Sequence, residues 1–210
     1  MIANTLETHL MQQAFRQVLN SFARPGTVGQ IVAYPKSDED PKMSPYFETA
    51  VRLFVDQVTT FSVEGPGAEG MSRWIKMQTH ASQADTGQAD FVLVPCEDDE
   101  VQCEALLKAK EGTLAEPEQG ASVLLLCGRV ADGPAAGLHC LELEGPGIES
   151  MARLYVDQVA WTRARRLRGD EYPCGIEILL VDREGNVAAL PRTTRIASVS
   201  ACKETDGRVG

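Results

Sequence analysis

Phe91-Val-Leu-Val94 is the stretch that decides the fold, because a short continuous apolar run of this kind fills a strand that is buried on both faces. Directly after it, a helix is predicted over residues 98–110, acidic at its start and lysine-rich at its end, an order that suits the helix dipole. A second apolar run, Val123 to Cys127, is predicted to be another strand. This succession is typical of an α/β protein.

The residues before this stretch also alternate between helices and strands. Asn4 and Glu7 form a capping-box pattern, and apolar residues keep helical spacing from Leu6 to Phe22. Arg24-Pro25-Gly26 ends that helix, because the residue before a proline disfavours the helical conformation. The elements predicted next are a strand over Thr27 to Ala33, a helix that begins at Ser44-Pro45 with Ser44 as its cap and extends to Val58, a strand over Thr59 to Val63, and a short helix with Trp74 and Met77.

Hairpins dominate the second half of the sequence. The strand Val123–Cys127 is predicted to pair with Leu138–Leu143 around the turn at Asp132-Gly133-Pro134. A basic helix is predicted over Trp161 to Arg168. A second hairpin is predicted from the strands Ile176–Val181 and Val187–Leu190, which flank the turn residues 182–186.

These elements predict one α/β domain over residues 1–200, with a mixed β-sheet and helices on both faces in a three-layer αβα arrangement. Residues 201–210 are predicted to be a disordered C-terminal tail. Arg52-Leu-Phe-Val-Asp-Gln-Val58 recurs almost unchanged as Arg153-Leu-Tyr-Val-Asp-Gln-Val159. The flanking residues do not match, so no repeat architecture is predicted.

The amino-acid composition limits the kinds of binding partner that the chain is expected to have. With 43% hydrophobic and 24% charged residues a packed core is expected, and the net charge of −10 argues against nucleic acid or an anionic membrane as the main partner. Ten acidic residues lie between Asp85 and Glu118, whereas eight of the fourteen arginines lie between Arg153 and Arg195, which favours a dipolar surface that steers association. The N-terminal residues resemble no signal peptide, so a cytoplasmic location with reduced cysteines is expected.

Motifs that carry chemistry are missing from the sequence. It contains no P-loop, no Cys-x-x-Cys, no His-x-x-x-His and no Gly-x-Ser-x-Gly. None of the six lysines lies in an apolar setting that would lower its pKa for Schiff-base chemistry. No catalytic residue, metal site or cofactor is therefore predicted, although His80 or His139 could still meet a cysteine in space.

A glycine-rich loop, Gly65 to Gly70, formally matches the dinucleotide-binding pattern between a predicted strand and a predicted helix. Pro66 removes one of the backbone donors that such a loop needs, and Glu64 and Glu69 would repel phosphate. The loop is interpreted as a turn, with nucleotide binding as the alternative.

Three further turns end regular elements with glycine, arginine or hydroxyl side chains. Such turns can hold an anion through guanidinium and backbone N–H groups, contact a partner chain, or serve only as turns and caps. The candidate anion- or partner-binding residues are Arg24 and Gly26 in the first turn, Gly145 and Gly147 in the second, and Arg192, Thr193 and Thr194 in the third.

The order of these motifs resembles one family, PhnH, the H subunit of the bacterial carbon–phosphorus (C–P) lyase core complex. The resemblance extends over about residues 5 to 197, and two of its segments, Gly112–Ala121 and Leu190–Thr194, are specific. The motifs that carry it are Phe22-Ala-Arg-Pro-Gly-Thr27, Gln88-Ala-Asp-Phe91, Gly112-Thr-Leu-Ala-Glu-Pro-Glu-Gln-Gly-Ala121, Gly145-Pro-Gly-Ile148, Gly175-Ile-Glu-Ile-Leu-Leu-Val-Asp182 with Gly185, and Leu190-Pro-Arg-Thr-Thr194.

The resemblance implies a fold similar to the large domain of pyridoxal-phosphate-dependent transferases, without their cofactor site. It also implies association with G-, I- and J-type subunits, and a homodimer when isolated. With G- and I-type subunits the family supports formation of ribose 1-phosphonate 5-triphosphate from ATP and phosphonate, with release of adenine, and contributes no known catalytic residue. The alternatives are a stand-alone nucleotide- or phosphonate-binding enzyme that uses Gly65–Gly70 or Arg192–Thr194, and a residual pyridoxal-phosphate protein.

Overall fold

The structure, a computed structural model, describes residues 2–35, 43–169 and 172–202. Its elements, in chain order, are α1 (Ile2–Ala23), β1 (Gly29–Gln30), α2 (Pro45–Phe54), β2 (Thr60–Val63), α3 (Ala68–Thr79), β3 (Ser82–Gln83), β4 (Phe91–Val94), α4 (Asp99–Lys108), β5 (Ser122–Leu126), β6 (Val130–Ala131), β7 (His139–Glu144), β8 (Ala152–Val156), α5 (Ala160–Arg168), β9 (Glu177–Val181), β10 (Asn186–Leu190) and β11 (Arg195–Ala201).

The larger sheet has the strand order β1-β10-β9-β5-β4-β2-β3 and is mixed, as predicted. The strands from β3 to β9 in this order are parallel, whereas β10 and β1 run antiparallel to their neighbours. Strand β4 lies inside the sheet, with Phe91 opposite both Phe61 and Ser122. Val92, Leu93 and Val94 are fully buried, because this strand has a paired neighbour on each side and a covered face above and below.

Alternate residues of the central strands enter two separate cores, because successive side chains of a strand point to opposite faces. Leu93, Leu124 and Leu179 pack with α1, α2 and α3 on one face. Val92, Val123 and Ile178 pack with α4, α5 and the smaller sheet on the other. The helices thus lie on both faces as predicted, but one face is shared with a second sheet that the sequence pattern did not predict.

That smaller sheet is antiparallel, with the order β11-β7-β8-β6. The predicted hairpin between Val123–Cys127 and Leu138–Leu143 is therefore wrong. Strand β5 pairs in parallel with β4 and β9, because its apolar residues are buried on both faces. Strand β7 instead alternates buried and half-buried residues, a pattern typical of a sheet with one exposed face, and it pairs with β8 and β11.

The second predicted hairpin is confirmed, since β9 and β10 pair antiparallel with Val181 opposite Val187. Its turn is held by Asp182, whose carboxylate accepts hydrogen bonds from the backbone N–H of Glu184 and Asn186, both at 2.8 Å. Asp182 also accepts from the N–H of Val130 at 3.1 Å, which ties the larger sheet to β6. A single buried carboxylate thus fixes both the hairpin and the contact between the two sheets.

Several predicted bounds are wrong. The strand expected over Thr27–Ala33 consists of Gly29–Gln30 alone, and the helix expected to reach Val58 ends at Phe54. Ala201, assigned to a disordered tail, pairs with His139 at the end of β11. The rest of that predicted tail, from residue 203 on, lies outside the described residues.

The recurring sequence folds in two ways. Its first copy begins in α2, where Arg52 forms an ion pair with Glu48 one helical turn earlier at 2.8 Å. Its second copy begins in β8, where Arg153 lies 3.4 Å from Glu142 on the adjacent strand. Tertiary packing therefore overrides local propensity in at least one copy, and no structural repeat exists between the two.

Candidate functional site

The three candidate turns, far apart in sequence, pack against one another. A Cβ atom at Gly26 would lie 2.5 Å from the Cβ of Ala152, and one at Gly147 would lie 2.6 Å from the carbonyl oxygen of Ala23. A Cβ atom at Gly145 would lie 2.7 Å from the carbonyl oxygen of Thr193. Gly145 and Gly147 are thus required by close approach of backbone to backbone, and Gly26 by the side chain of Ala152, which gives all three a structural role.

A cavity of about 320 Å³ lies beside the third turn, between that turn, the C-terminal half of α5 and the start of β11. Two of the predicted site residues, Arg192 and Thr194, line it. The other candidates are not among its lining residues. They are Arg24, Gly26, Gly145, Gly147 and Thr193.

Three further arginines line the cavity, together with Thr162, Gly169 and Ile196: Arg165, Arg166 and Arg195. The first two belong to the basic helix α5, and the third begins β11. The sequence feature that indicates this lining is the concentration of arginines between residues 153 and 195. From the sequence alone it predicts only surface charge. We call this site the arginine cavity, defined by Arg165, Arg166, Arg192, Thr194 and Arg195.

Arg165 fixes the third turn to α5. Its guanidinium donates to the carbonyl oxygens of Leu190 at 3.3 Å, Pro191 at 2.6 Å and Thr194 at 3.1 Å. Helix α5 is itself held by Trp161, which is fully buried and donates its indole N–H to the carbonyl of Gln158 at 2.9 Å. The position of the guanidinium of Arg165 is therefore set by packed backbone on both sides.

Arg192 is partly buried, since its side chain is only 24% exposed. It donates a hydrogen bond to the carbonyl of Pro117, and its Nε lies 3.8 Å from Glu177 Oε1. Burial raises the pKa of Glu177, although Arg192 and Arg165 act to lower it. Arg192 thus connects the Gly112–Ala121 loop to the third turn, so two motifs of the family resemblance meet at the cavity.

Thr194 has a buried hydroxyl group without a partner. The residue is 2% exposed, its backbone N–H donates to the carbonyl of Pro191 at 2.9 Å, and its Oγ1 makes no hydrogen bond within the described part of the chain. A buried hydroxyl that lacks a partner carries a desolvation cost of about 1–3 kcal/mol. Such a group is a candidate for contact with a ligand.

The glycine-rich loop is a poorer candidate for phosphate binding than the arginine cavity is. A Cβ atom at Gly65 would lie 2.8 Å from Cys96 Sγ, so the first turn of the loop is packed against the residues that follow β4. Gly67 caps α3 without a side-chain hydrogen bond, and Glu64 accepts a hydrogen bond from Thr86 beside it. The carboxylates of Glu64 and Glu69 place negative charge at both ends of the loop.

Three of the cysteine thiols lack the environment of a nucleophile. Burial raises the pKa of Cys127 well above its ordinary value, and burial also raises the pKa values of Cys96 and Cys103. A protonated thiol is a poor nucleophile. His80 is exposed at the end of α3, and His139 is half-buried in β7.

Over residues 2–35, 43–169 and 172–202, no group of three or more histidine, cysteine or acidic residues could hold a metal ion. In the same ranges no helix has the length and apolar character needed to cross a membrane.

The fold and the site define an α/β protein with a mixed central sheet, a second antiparallel sheet and an arginine-lined cavity at their junction. The model of the PhnH family, described as bacterial phosphonate metabolism protein, matches residues 4–197. The chain therefore belongs to the PhnH family. It is also 30% identical over 189 residues to HtxG of Stutzerimonas stutzeri, which is named as a C–P lyase subunit; the match covers 88% of this chain and 85% of HtxG.

Proposed function

We propose that this chain is a non-catalytic subunit of a carbon–phosphorus lyase complex that is needed for phosphonate catabolism. The observation that carries the proposal is the match to the PhnH family over residues 4–197, together with the similarity to HtxG across most of both chains. Burial raises the pKa of the Cys127 thiol well above its ordinary value, which favours a structural role for that cysteine.

In the finer proposal, the chain works with G- and I-type subunits to form ribose 1-phosphonate 5-triphosphate from ATP and phosphonate, with release of adenine. A J-type subunit is the further partner. The chain would act in the cytoplasm and form a homodimer when isolated, and its fold would be related to the large domain of pyridoxal-phosphate-dependent transferases. No cofactor is assigned to it.

The surface of α1 supports a docking role. Phe15 is 50% exposed and Leu19 is 55% exposed, and they lie one helical turn apart on one face of the helix. The adjacent face, with Ala14 and Val18, is buried against the larger sheet. Large apolar side chains that a folded chain leaves in water are typical of surfaces that bind another protein.

Adenine release tests the proposal. The purified G-, I- and J-type subunits and the accessory ATP-binding-cassette-like protein that acts with this family are incubated with ATP and methylphosphonate, with and without this chain. Free adenine is measured by chromatography. We expect adenine only when the chain is present, and none from the chain alone. Adenine production at an equal rate without the chain would contradict the proposal.

A stand-alone nucleotide- or phosphonate-binding enzyme is the second candidate function, and the arginine cavity is the observation that favours it. Turnover of ATP or methylphosphonate by the isolated chain would establish it in place of the first. A residual pyridoxal-phosphate protein would instead develop a near-visible absorbance band with that cofactor, and borohydride would fix the cofactor to a lysine.

A further inference from the structure

The arginine cavity has the construction of a binding site, and the role of a docking subunit does not require it. Its volume of about 320 Å³ lies at the lower end of the range for small-molecule sites. We infer that the cavity binds a small compound through a phosphate or phosphonate group.

Charge favours an anion there. Four arginines line the cavity. Arg192 lies 3.8 Å from Glu177, and Arg195 lies 3.1 Å from Glu144. Guanidinium groups form most of the polar lining of the cavity, and such groups favour a negatively charged ligand. The C-terminal carbonyls of α5 oppose an anion, and the basic residues of the last turn outweigh that smaller partial charge.

Two of the arginines are fixed before any ligand arrives. Arg165 is held by three backbone carbonyls, and Arg192 by the carbonyl of Pro117 and by Glu177. Guanidinium groups with fixed orientation bind the tetrahedral oxyanion of a phosphoryl or phosphonyl group at a low entropic cost.

The other two arginines lie at the mouth of the cavity. Arg166 and Arg195 are both exposed, and Arg166 has no hydrogen-bond partner among the residues that the structure describes. An exposed arginine on a flexible stem can close onto an anion that fixed groups already hold. Arg166 is therefore the residue whose loss should weaken binding most without an effect on folding.

The unpartnered hydroxyl of Thr194 supports anion binding separately from the charge of the arginines. Thr194 lines the cavity, and its Oγ1 is buried without a hydrogen bond in the described residues. A phosphate or phosphonate oxygen would accept a hydrogen bond from this hydroxyl and remove its desolvation cost. The cavity, at about 320 Å³, also has room for an organic group beside the anionic group.

Calorimetry of the whole chain with inorganic phosphate, methylphosphonate and ATP tests the inference. The variant is Arg166→Gln, and the matched control is Arg163→Gln, an exposed arginine of the same helix that does not line the cavity. We expect saturable binding of at least one compound, weakened about tenfold or more by Arg166→Gln, because a charge-assisted hydrogen bond is lost. Arg163→Gln should keep the affinity of the parent chain. The compound that binds tightest identifies the ligand as a free phosphate, a phosphonate or a nucleotide.

Thr194→Val separates a ligand contact from a structural role. Valine has nearly the shape of threonine and removes a hydroxyl that has no partner, so the melting temperature should stay unchanged or rise. Affinity should fall several-fold, since the hydroxyl no longer donates to the anion. A lower melting temperature with unchanged affinity would make the hydroxyl structural and would contradict its part in the site.

Two results would overturn the inference as a whole. One is the absence of saturable binding by the parent chain for all three compounds. The other is equal binding of the three compounds by the parent chain and by Arg166→Gln. If that variant also fails to assemble with the other subunits, the arginines contact a partner chain and not an anion. Because the isolated chain is used, this test can fail while the proposed subunit role stands, and the reverse.

Discussion

At the scale of single residues, the glycines of the second turn show how backbone contact fixes sequence. Gly145 combines a φ of +139° with a position where a Cβ atom would lie 2.7 Å from the carbonyl oxygen of Thr193. Gly137 also has a positive φ, of +79°, but no atom lies within 4 Å of its added Cβ. Alanine substitutions at Gly145 and Gly137 therefore distinguish the free-energy cost of backbone strain from that of a steric clash.

Gly145→Ala should destabilise the chain by about 3 kcal/mol, and Gly137→Ala by about 1 kcal/mol, in urea unfolding. The larger value includes displacement of the third turn, which holds Arg192 and Thr194. Equal losses in the two variants would mean that close packing between the turns does not constrain Gly145.

Asp90 gives the fold a dependence on pH. Its carboxylate accepts hydrogen bonds from the N–H and hydroxyl of Thr60, at 2.9 and 2.7 Å, and from Lys110 at 2.6 Å. Burial alone would raise the pKa of Asp90, but these hydrogen bonds outweigh it and lower the pKa below its ordinary value of 3.8. The stabilisation is therefore present above the unfolded-state pKa and is lost as the pH falls through the folded-state pKa.

Asp90→Asn should be less stable than the parent chain by about 1 kcal/mol at pH 7, a value discounted because the carboxylate is half-exposed. The difference in unfolding free energy should shrink as the pH falls below the unfolded-state pKa of Asp90, and it should vanish only below the folded-state pKa, which lies under 3.8. Urea unfolding from pH 7 to pH 3 measures it, with the exposed Asp132→Asn as control. A difference that persists unchanged at pH 3 would rule out the proposed ionic contribution.

At the scale of elements, two helix starts that look alike in sequence differ in their caps. Asp98 accepts hydrogen bonds from the N–H groups of Glu100 and Val101, both at 3.0 Å, at the start of α4. Ser44 precedes α2 in the same way, but its side chain makes no capping bond, and its buried Oγ lacks a partner in the described residues. The cap predicted at Ser44 is therefore wrong in its chemistry, although α2 begins where expected.

Asp98→Ala should cost about 1 kcal/mol of stability, whereas Ser44→Ala should cost nothing measurable or add stability. Thermal or urea unfolding of the two variants compares them directly. A loss at Ser44 as large as the loss at Asp98 would show that the serine hydroxyl caps α2 in solution.

Local sequence patterns predicted the bounds of helices and strands better than they predicted which strands pair. Strand β4 has its predicted bounds, and α4 covers Asp99–Lys108 where residues 98–110 were predicted, because composition and charge order act within the element itself. The smaller sheet joins β7 to β11, which lies about fifty residues later in the sequence, and no local signal records such a pairing.

The candidate site was likewise only half predictable. The turn chemistry of Arg192 and Thr194 was visible in the sequence. Arg165 and Arg166 looked like the solvated face of a basic helix, since charge on a helix does not show which tertiary neighbour it faces.

At the scale of the whole molecule, the exposed apolar pair on α1 is the surface where we expect another C–P lyase subunit to dock. The double variant Phe15→Ser/Leu19→Ser should fold normally, because both side chains are already half in water. It should bind the complex about tenfold more weakly, as expected when apolar anchors of an interface are lost. Val58→Ser, at an exposed apolar residue outside the helices, is the control. Unchanged affinity of the double variant would exclude α1 from the interface.

The fold does not separate the acidic and the basic stretches. The acidic helix α4 and the basic helix α5 pack on the same face of the larger sheet. Arg168 of α5 donates hydrogen bonds to the carbonyl oxygens of Leu106 and Ala109 at the end of α4. The dipolar surface expected from the sequence is therefore not supported by the arrangement of these two helices.

Size-exclusion chromatography of the chain co-expressed with G-, I- and J-type subunits tests the subunit role most directly. We predict that the chain elutes with all three in one peak, at constant ratio across the peak. Elution of the chain apart from the other subunits, with those subunits assembled and active in adenine release, would contradict the account.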